Sequence, residues 1–371
     1  MKNRCHLLFL ISIAGCAARP DRADFAADLS AIRSVGREGS GNRDASLAAK
    51  RLSGDGTADR LPEVLRAMKG AGPVAENWLR AVTDTIAERQ LALGGKLPAA
   101  GLEALVLDRQ EAGAARRLAY EWLARVDPAA PDRLIPGMLD DPSVEMRRDA
   151  VEREIAAAEA LYGSGGKDAA RAAYARLFPF SRDRDQVDRI VKRLDELGEK
   201  VDLTRHYGFV RKWRVIGPFD NSAKAGFPAV YPPETKVDYA AEYGGKSAQV
   251  RWVDHLSEDP LGKVDLNRLL GKEKGVVGYA AAEVESAGSR PVDIRAASGN
   301  AIKIWLNGDL LFTRDEYHHG IELDQYRASG VLRPGRNTVL IKVCQDEMKE
   351  DWTEDWSFQL RVCDATGGGI L

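Results

Sequence analysis

The stretch AIKIWLNGDLLF, residues 301–312, alternates apolar and polar side chains up to an Asn-Gly pair and then resumes with an apolar run. In an extended strand, alternation places Ile302, Ile304 and Leu306 on one face and Lys303, Trp305 and Asn307 on the other. Asn307 and Gly308 both tolerate the positive φ that a type I′ turn requires at its two central positions, so the stretch predicts a β-hairpin. Ile302, Ile304 and Leu306 are the core-facing set. Trp305 is left to meet a second layer or solvent.

Around this hairpin stand other short segments bounded by Gly, Pro, Asn or Asp: YGFVRKWRVIGPF (207–219), GVVGYAAAEVE (275–285), PVDIRAAS (291–298), NTVLIKVCQ (337–345) and WSFQLRVCD (356–364). Strands of this length with turn residues between them predict an antiparallel β-sandwich over residues 203–371. The run IWLNGDLLF followed by HHGIELDQYRASGVLRPGRNTVLIKV, with Gly335 and Asn337 in a G-x-N turn before a long apolar strand, resembles the galactose-binding-like jelly roll. That fold occurs in the sugar-binding domain of family 2 glycoside hydrolases and in many carbohydrate-binding modules. The resemblance implies a non-catalytic module that takes a ligand at the loops ending the sandwich.

Upstream the period changes to that of a helix. LPEVLRAM (61–68) sets Leu61, Val64, Leu65 and Met68 on one stripe, and AARRLAYEWLARV (114–126) does the same with Ala115, Leu118, Ala119, Trp122, Leu123 and Val126. Trp78 and Trp122 lie on such stripes and are expected in a core. LIPGMLDDPSVEMRRDAV (134–151) resembles a HEAT repeat, with Asp140 and Asp141 capping and Pro142 in the first turn. AAAEALYGSGGKDAARAAYARLF (156–178) resembles a tetratricopeptide unit, with Ala170, Ala173, Tyr174 and Leu177 on one face. Together these predict a short α-solenoid over 59–200, a surface for a protein partner or a spacer. The fold expected is thus multidomain α plus β, a helical-repeat domain followed by the jelly roll.

The chain opens MKNRCHLLFLISIAGCAARP, with Lys2 and Arg4 before an apolar run too short to span a bilayer. IAGC, residues 13–16, resembles the lipobox of bacterial lipoproteins. The resemblance implies a signal peptide over 1–15, a diacylglyceryl group on Cys16, and an envelope location; Ala17 after the cysteine points to the outer membrane. Residues 16–58, with GREGSGNRDAS and SGDGTAD, read as a flexible tether, with room for a short helix near Phe25 to Ile32.

Across 371 residues, 54 Lys+Arg stand against 56 Asp+Glu, so no global positive field would attract nucleic acid, and the membrane is reached through the lipid alone. Cys344 and Cys363 are expected as buried free thiols. No CxxC and no helically spaced His pair spells a metal site. There is no GxSxG elbow, no Walker loop and no GxGxxG after a strand, and the residues left for the sandwich are too few for a glycosidase barrel. We therefore expect no enzyme, cofactor or metal.

Three loops are candidates for binding. QDEMKEDWTEDW (345–356) carries Trp352 and Trp356 among carboxylates that could coordinate calcium, without EF-hand spacing, or hold a glycan through indole stacking and hydroxyl hydrogen bonds; it also reads as a solvated acidic loop with one buried Trp. RDEYHHG (314–320) carries Tyr317, His318 and His319, and otherwise reads as a wide hairpin connection. GPFDN (217–221) carries Asp220 and Asn221, and otherwise reads as a turn. The functions these allow are glycan or other extracellular ligand binding, a structural or assembly role with a protein partner on the helices, or an accessory role beside a glycan-degrading enzyme.

Overall fold

The helical stripes form as their spacing predicts. In the computed structural model, which describes residues 22–54 and 56–371, α1 (Arg22–Arg33), α2 (Asn42–Leu52), α3 (Leu61–Arg66), α4 (Pro73–Ala92), α5 (Ala99–Leu107), α6 (Gly113–Val126), α7 (Ala130–Leu134) and α8 (Val144–Gly163) follow one another. The expected signal peptide and the expected lipidation at Cys16 lie outside the described residues. Helix α6 buries Ala115, Leu118, Ala119, Trp122 and Leu123, and the Trp122 indole donates to Asp84 at 2.9 Å. A fully buried Arg116 grips both carboxylate oxygens of Asp141 at 2.7 Å, while Asp141 also accepts from the Ser143 amide ahead of α8. Such a pair satisfies every charge it buries, which is the condition for tolerating it.

The stretch expected as a tether is in fact partly helical. Phe25 and Ile32 of α1 and Ala45, Ala48 and Leu52 of α2 enter the same core as Leu61 and Leu65. Arg60 lies over the Phe25 ring at 3.5 Å, and Arg51 bonds Asp28. The apolar positions keep helical spacing, but Gly and Ser around them mask it.

The chain divides into two compact units, the first ending at Arg153 and the second beginning at Glu154. The division therefore precedes the expected boundary near residue 200. Helices α9 (Lys167–Leu177), α10 (Arg184–Glu196) and α11 (Leu203–Tyr207) belong with the sheets, because Phe178, Val187, Val191 and Leu203 pack on Tyr207, Phe209, Leu261 and Leu323.

The sheets are antiparallel and built from β1 (Lys212–Asp220), β2 (Glu242–Gly244), β3 (Gln249–Arg251), β4 (Val253–Leu256), β5 (Val264–Asp265), β6 (Val276–Ser286), β7 (Arg290–Ala297), β8 (Ala301–Leu306), β9 (Asp309–Arg314), β10 (Tyr326–Leu332), β11 (Gly335–Gln345) and β12 (Ser357–Cys363), with the short helices α12 (Pro232–Thr235) and α13 (Leu266–Leu270) between them. One sheet runs β4-β1-β6-β11-β8-β9 and the other β10-β7-β12-β5; β2 and β3 pair separately. Ile302, Ile304 and Leu306 share a core with Ile341 and Val343 of the same sheet and with Ile294, Phe358, Leu360 and Val362 of the other.

The hairpin β8–β9 turns through Asn307 (φ 54°) and Gly308 (φ 89°). Asn307 also accepts from the Thr338 amide at 2.9 Å and donates to Asn337 at 2.8 Å. Asn337 closes the G-x-N turn by bonding the Arg333 amide and carbonyl, both at 2.8 Å. Trp305, on the opposite face, is only 7% exposed. It packs with Ile216, Phe219, Phe227, Val277, Tyr279 and Leu340, under a cover formed by residues 221–252.

One local expectation is corrected and another is met. RDEYHHG is not a hairpin connection, because it carries the chain from β9 in one sheet to β10 in the other. Cys344 and Cys363 are buried and free, as expected, and sit in different sheets. Alternation within a strand says which residues share a face, but not which sheet the next strand joins.

Candidate functional site

The ends of β1, β9 and β11 bring Asn221, Tyr317, His318 and Asp346 together at one rim of the sheets. Asn221, fully buried, donates through Nδ2 to the Gln345 carbonyl at 3.0 Å and to the Tyr317 hydroxyl at 3.3 Å. Its own amide donates to the Gly275 carbonyl at 2.8 Å. These bonds fasten the corner after β1 to the loop carrying Tyr317 and to the end of β11.

His318 Nε2 lies 2.6 Å from Asp346 Oδ1, with both side chains withdrawn from solvent. Lys224 Nζ stands 3.4 Å from the other carboxylate oxygen and 4.5 Å from the centre of the Tyr317 ring. Burial pushes the Asp346 carboxyl up, but hydrogen bonds from His318 and the Met348 amide, with Lys224 beside it, outweigh this and hold it below the ordinary carboxylate range. Burial raises the Tyr317 hydroxyl, which stays protonated.

Trp352 stands beside this pair. Its ring meets His318 edge to face at 5.7 Å, yet the residue remains 65% exposed. The acidic loop that presents it is stapled at its base. Lys274 Nζ donates to the Thr353 carbonyl at 2.7 Å, Gln345 Nε2 to the same carbonyl at 2.9 Å, and Asn300 Nδ2 to the Asp355 carbonyl at 2.6 Å. An indole displayed on an anchored loop offers a flat apolar face at small ordering cost.

Ala223 (φ 51°), Lys224 (φ 61°) and His318 (φ 57°) all adopt left-handed backbone without being glycine. Such residues are uncommon and cost of order 1–3 kcal/mol each when the surroundings impose them. Their convergence on one rim is the kind of observation from which a functional site is inferred.

The remaining expected residues separate. Trp356 is fully buried and donates to the Val343 carbonyl at 3.2 Å, so it is a core residue and not a ligand contact. His319 is turned away from His318 and bonds Gln325 at 2.9 Å and Tyr326 at 3.0 Å. Asp220 accepts from the Ser222 hydroxyl at 2.6 Å, which lowers its carboxyl, and so holds the turn as its alternative reading expected. Lys224 was missed, because a positive-φ corner after a strand leaves no mark in side-chain pattern. Asp346 was visible only as one carboxylate among several.

Two concavities of this unit lie elsewhere. One of about 410 Å³ is lined by Arg205, Phe209, Lys212 and Glu283, and another of about 420 Å³ by His255, Asp259, Asp265 and Arg268. We favour the rim over either cleft because chemistry, strain and an exposed aromatic coincide there. Among the described residues no group of His, Cys, Asp and Glu is placed to hold a metal ion.

No family model matches the sequence, and no curated protein matches it. Among solved structures, the GH31 alpha-xylosidase from Xanthomonas citri is a distant neighbour at 12% identity, with a TM-score of 0.20. The match covers 41% of this chain and 16% of that one.

Proposed function

We propose that this chain is a non-catalytic, lipid-anchored protein of the bacterial envelope that binds a glycan through the rim of a galactose-binding-like jelly roll, with a short helical-repeat stack ahead of it. The observation that carries the reading is the exposed Trp352 indole set against the fixed His318–Asp346 pair, with Lys224 and Tyr317 adjacent. Sugars are held by this combination, since one ring face stacks on an aromatic while hydroxyls exchange hydrogen bonds with charged groups of fixed geometry. The two antiparallel sheets sharing one core, and the Asn-Gly hairpin, support the jelly-roll assignment.

A glycan array and calorimetry on the full chain test the reading. Hits weakened at least tenfold by Trp352→Ala, and by Lys224→Ala, are expected. Silence across plant, algal and bacterial glycans would end it. The anchor has its own test: Cys16→Ser should abolish lipid labelling and release the protein from membranes, and unchanged labelling would sink the lipoprotein assignment. No helix among the described residues is long and apolar enough to cross a membrane.

A second reading is an assembly lipoprotein, or an accessory subunit of a glycan-degrading enzyme, whose helices recruit a protein partner. It is favoured by an open groove of about 650 Å³ lined by Leu29, Arg33, Arg66 and Gly70. A reproducible partner in pull-downs, lost on Arg33→Glu with Arg66→Glu, is its expected signature; capture that survives the reversal would count against it.

A further inference from the structure

The outer face of the six-stranded sheet is aromatic, and residues 221–252 cover it. Phe227 and Val250 of the cover are buried on Ile216, Phe219, Tyr279, Trp305 and Leu340, with Tyr231, Tyr239, Tyr243 and Trp252 around them. At the centre stands Lys342, fully buried on β11. Its ammonium donates to the Phe227 carbonyl at 3.1 Å, the Ala229 carbonyl at 2.7 Å and Glu234 Oε1 at 2.8 Å, and Tyr279 donates its hydroxyl to the same carboxylate oxygen. All three ammonium protons are used, and all three acceptors belong to the cover. Burial lowers the Lys342 ammonium's pKa, against the pull of Glu234.

The cover is built unlike the sheet beneath it. Beyond α12 and the β2–β3 pair it is irregular, and its backbone bonds run largely within itself, as from Lys224 to Asn221, Phe227 to Lys224, Glu234 to Tyr231 and Gly245 to Ala248. Segments of this kind open at lower free energy than sheet interiors. A buried ion pair adds little stability over apolar packing but imposes one arrangement, and breaking one partner is costly.

We propose that residues 221–252 form a hinged cover over the aromatic sheet face, and that Lys342 and Glu234 are its latch. When the cover lifts, Trp305, Tyr279 and Phe219 are uncovered, and Asn221 and Lys224 at its root leave the Tyr317–Asp346 rim. The latch thus couples two faces of the unit. The inference stands whether or not the rim binds a glycan.

Cys344 lies fully buried on the covered face, whereas Cys363 is buried in the other sheet, so the two thiols separate opening from unfolding. The test is alkylation of the full chain carrying Cys5→Ser and Cys16→Ser with N-ethylmaleimide, in rising sub-denaturing urea, read at each cysteine by mass spectrometry. Cys344 should react at least ~10-fold faster than Cys363 and with a shallower urea dependence, because local opening exposes less surface. Glu234→Gln should accelerate Cys344 by roughly tenfold or more, and Lys342→Met with Glu234→Leu should restore slow labelling. Equal rates with equal urea dependence at both thiols in the unsubstituted chain would overturn the proposal, and that comparison decides even if Glu234→Gln fails to fold. So would a folded Glu234→Gln chain that labels Cys344 no faster than the unsubstituted chain.

Discussion

The imidazole of His318 meets the carboxylate of Asp346 at 2.6 Å, and neither side chain reaches solvent. Because Trp352 rests its edge on that imidazole, the pair fixes the one exposed aromatic at the rim. Truncating His318 to Ala should cost about 1.5–3 kcal/mol, the worth of a hydrogen bond to a charged group. Urea unfolding measures it, and a loss within ~0.5 kcal/mol, typical of a surface position, would mean that the contact holds nothing in place.

The two tryptophans of the acidic loop should behave oppositely. Trp356→Ala empties a fully buried site and should destabilise by about 3–5 kcal/mol. Trp352→Ala, at an exposed position, should change stability by no more than about 0.5 kcal/mol while weakening the proposed glycan binding. Paired urea midpoints and binding isotherms check the contrast.

Acid should act through Asp346. Its carboxyl is held below the ordinary range in the folded chain, so it contributes stability above the unfolded pKa. That contribution is lost as pH falls through the lower folded value, because protons then bind the unfolded chain first. Asp346→Asn should therefore be less stable at neutral pH and show a shallower acid decline, read as denaturant midpoints against pH.

His206 gives a second pH signature with a different window. Burial, with Arg182 nearby, lowers its imidazole from 6.5 to about 4, and its ring stacks on Phe178 at 4.1 Å. Between those values the unfolded chain binds a proton that the folded chain refuses, so stability should fall as pH drops from about 6.5 toward about 4. His206→Phe, which keeps the stack, should flatten that part of the profile; an unchanged slope would refute it.

Gly308 sits in open space at φ 89°, so a methyl group there meets no neighbour and tests the backbone alone. Gly308→Ala should destabilise by about 1–2 kcal/mol through left-handed strain. A neutral result by thermal or urea unfolding would show that the turn relaxes to another type.

Much of the fold was legible because it depends on period. The alternation at 301–306 predicted that Ile302, Ile304 and Leu306 share a face and put Trp305 on the other, leaving open whether a second layer or solvent meets it, and the helical stripes named Leu65, Leu118 and Trp122 as core. Sheet membership was not legible, since nothing in Arg314 or Tyr326 says that the chain changes sheets between them. At the rim, Tyr317 and His318 stood out by residue type, whereas Lys224 enters through a left-handed corner that side-chain pattern does not encode. Lys342 was visible in principle, as a lone charge at an alternate position of TVLIKVC, but its partner Glu234 lies 108 residues away.

Strand β12 lies between β7 and β5 in the four-stranded sheet, and just ahead of β1 the Val210 amide donates to its Leu360 carbonyl at 3.0 Å while its Val362 amide donates to the Gly208 carbonyl at 2.8 Å. A ribosome delivers β12 last of these strands, so the sheet's central member arrives after its neighbours have waited for the whole unit to be made. Closure is therefore an event that follows synthesis. A nascent chain stalled before residue 357 should remain open to protease along β5 and β7.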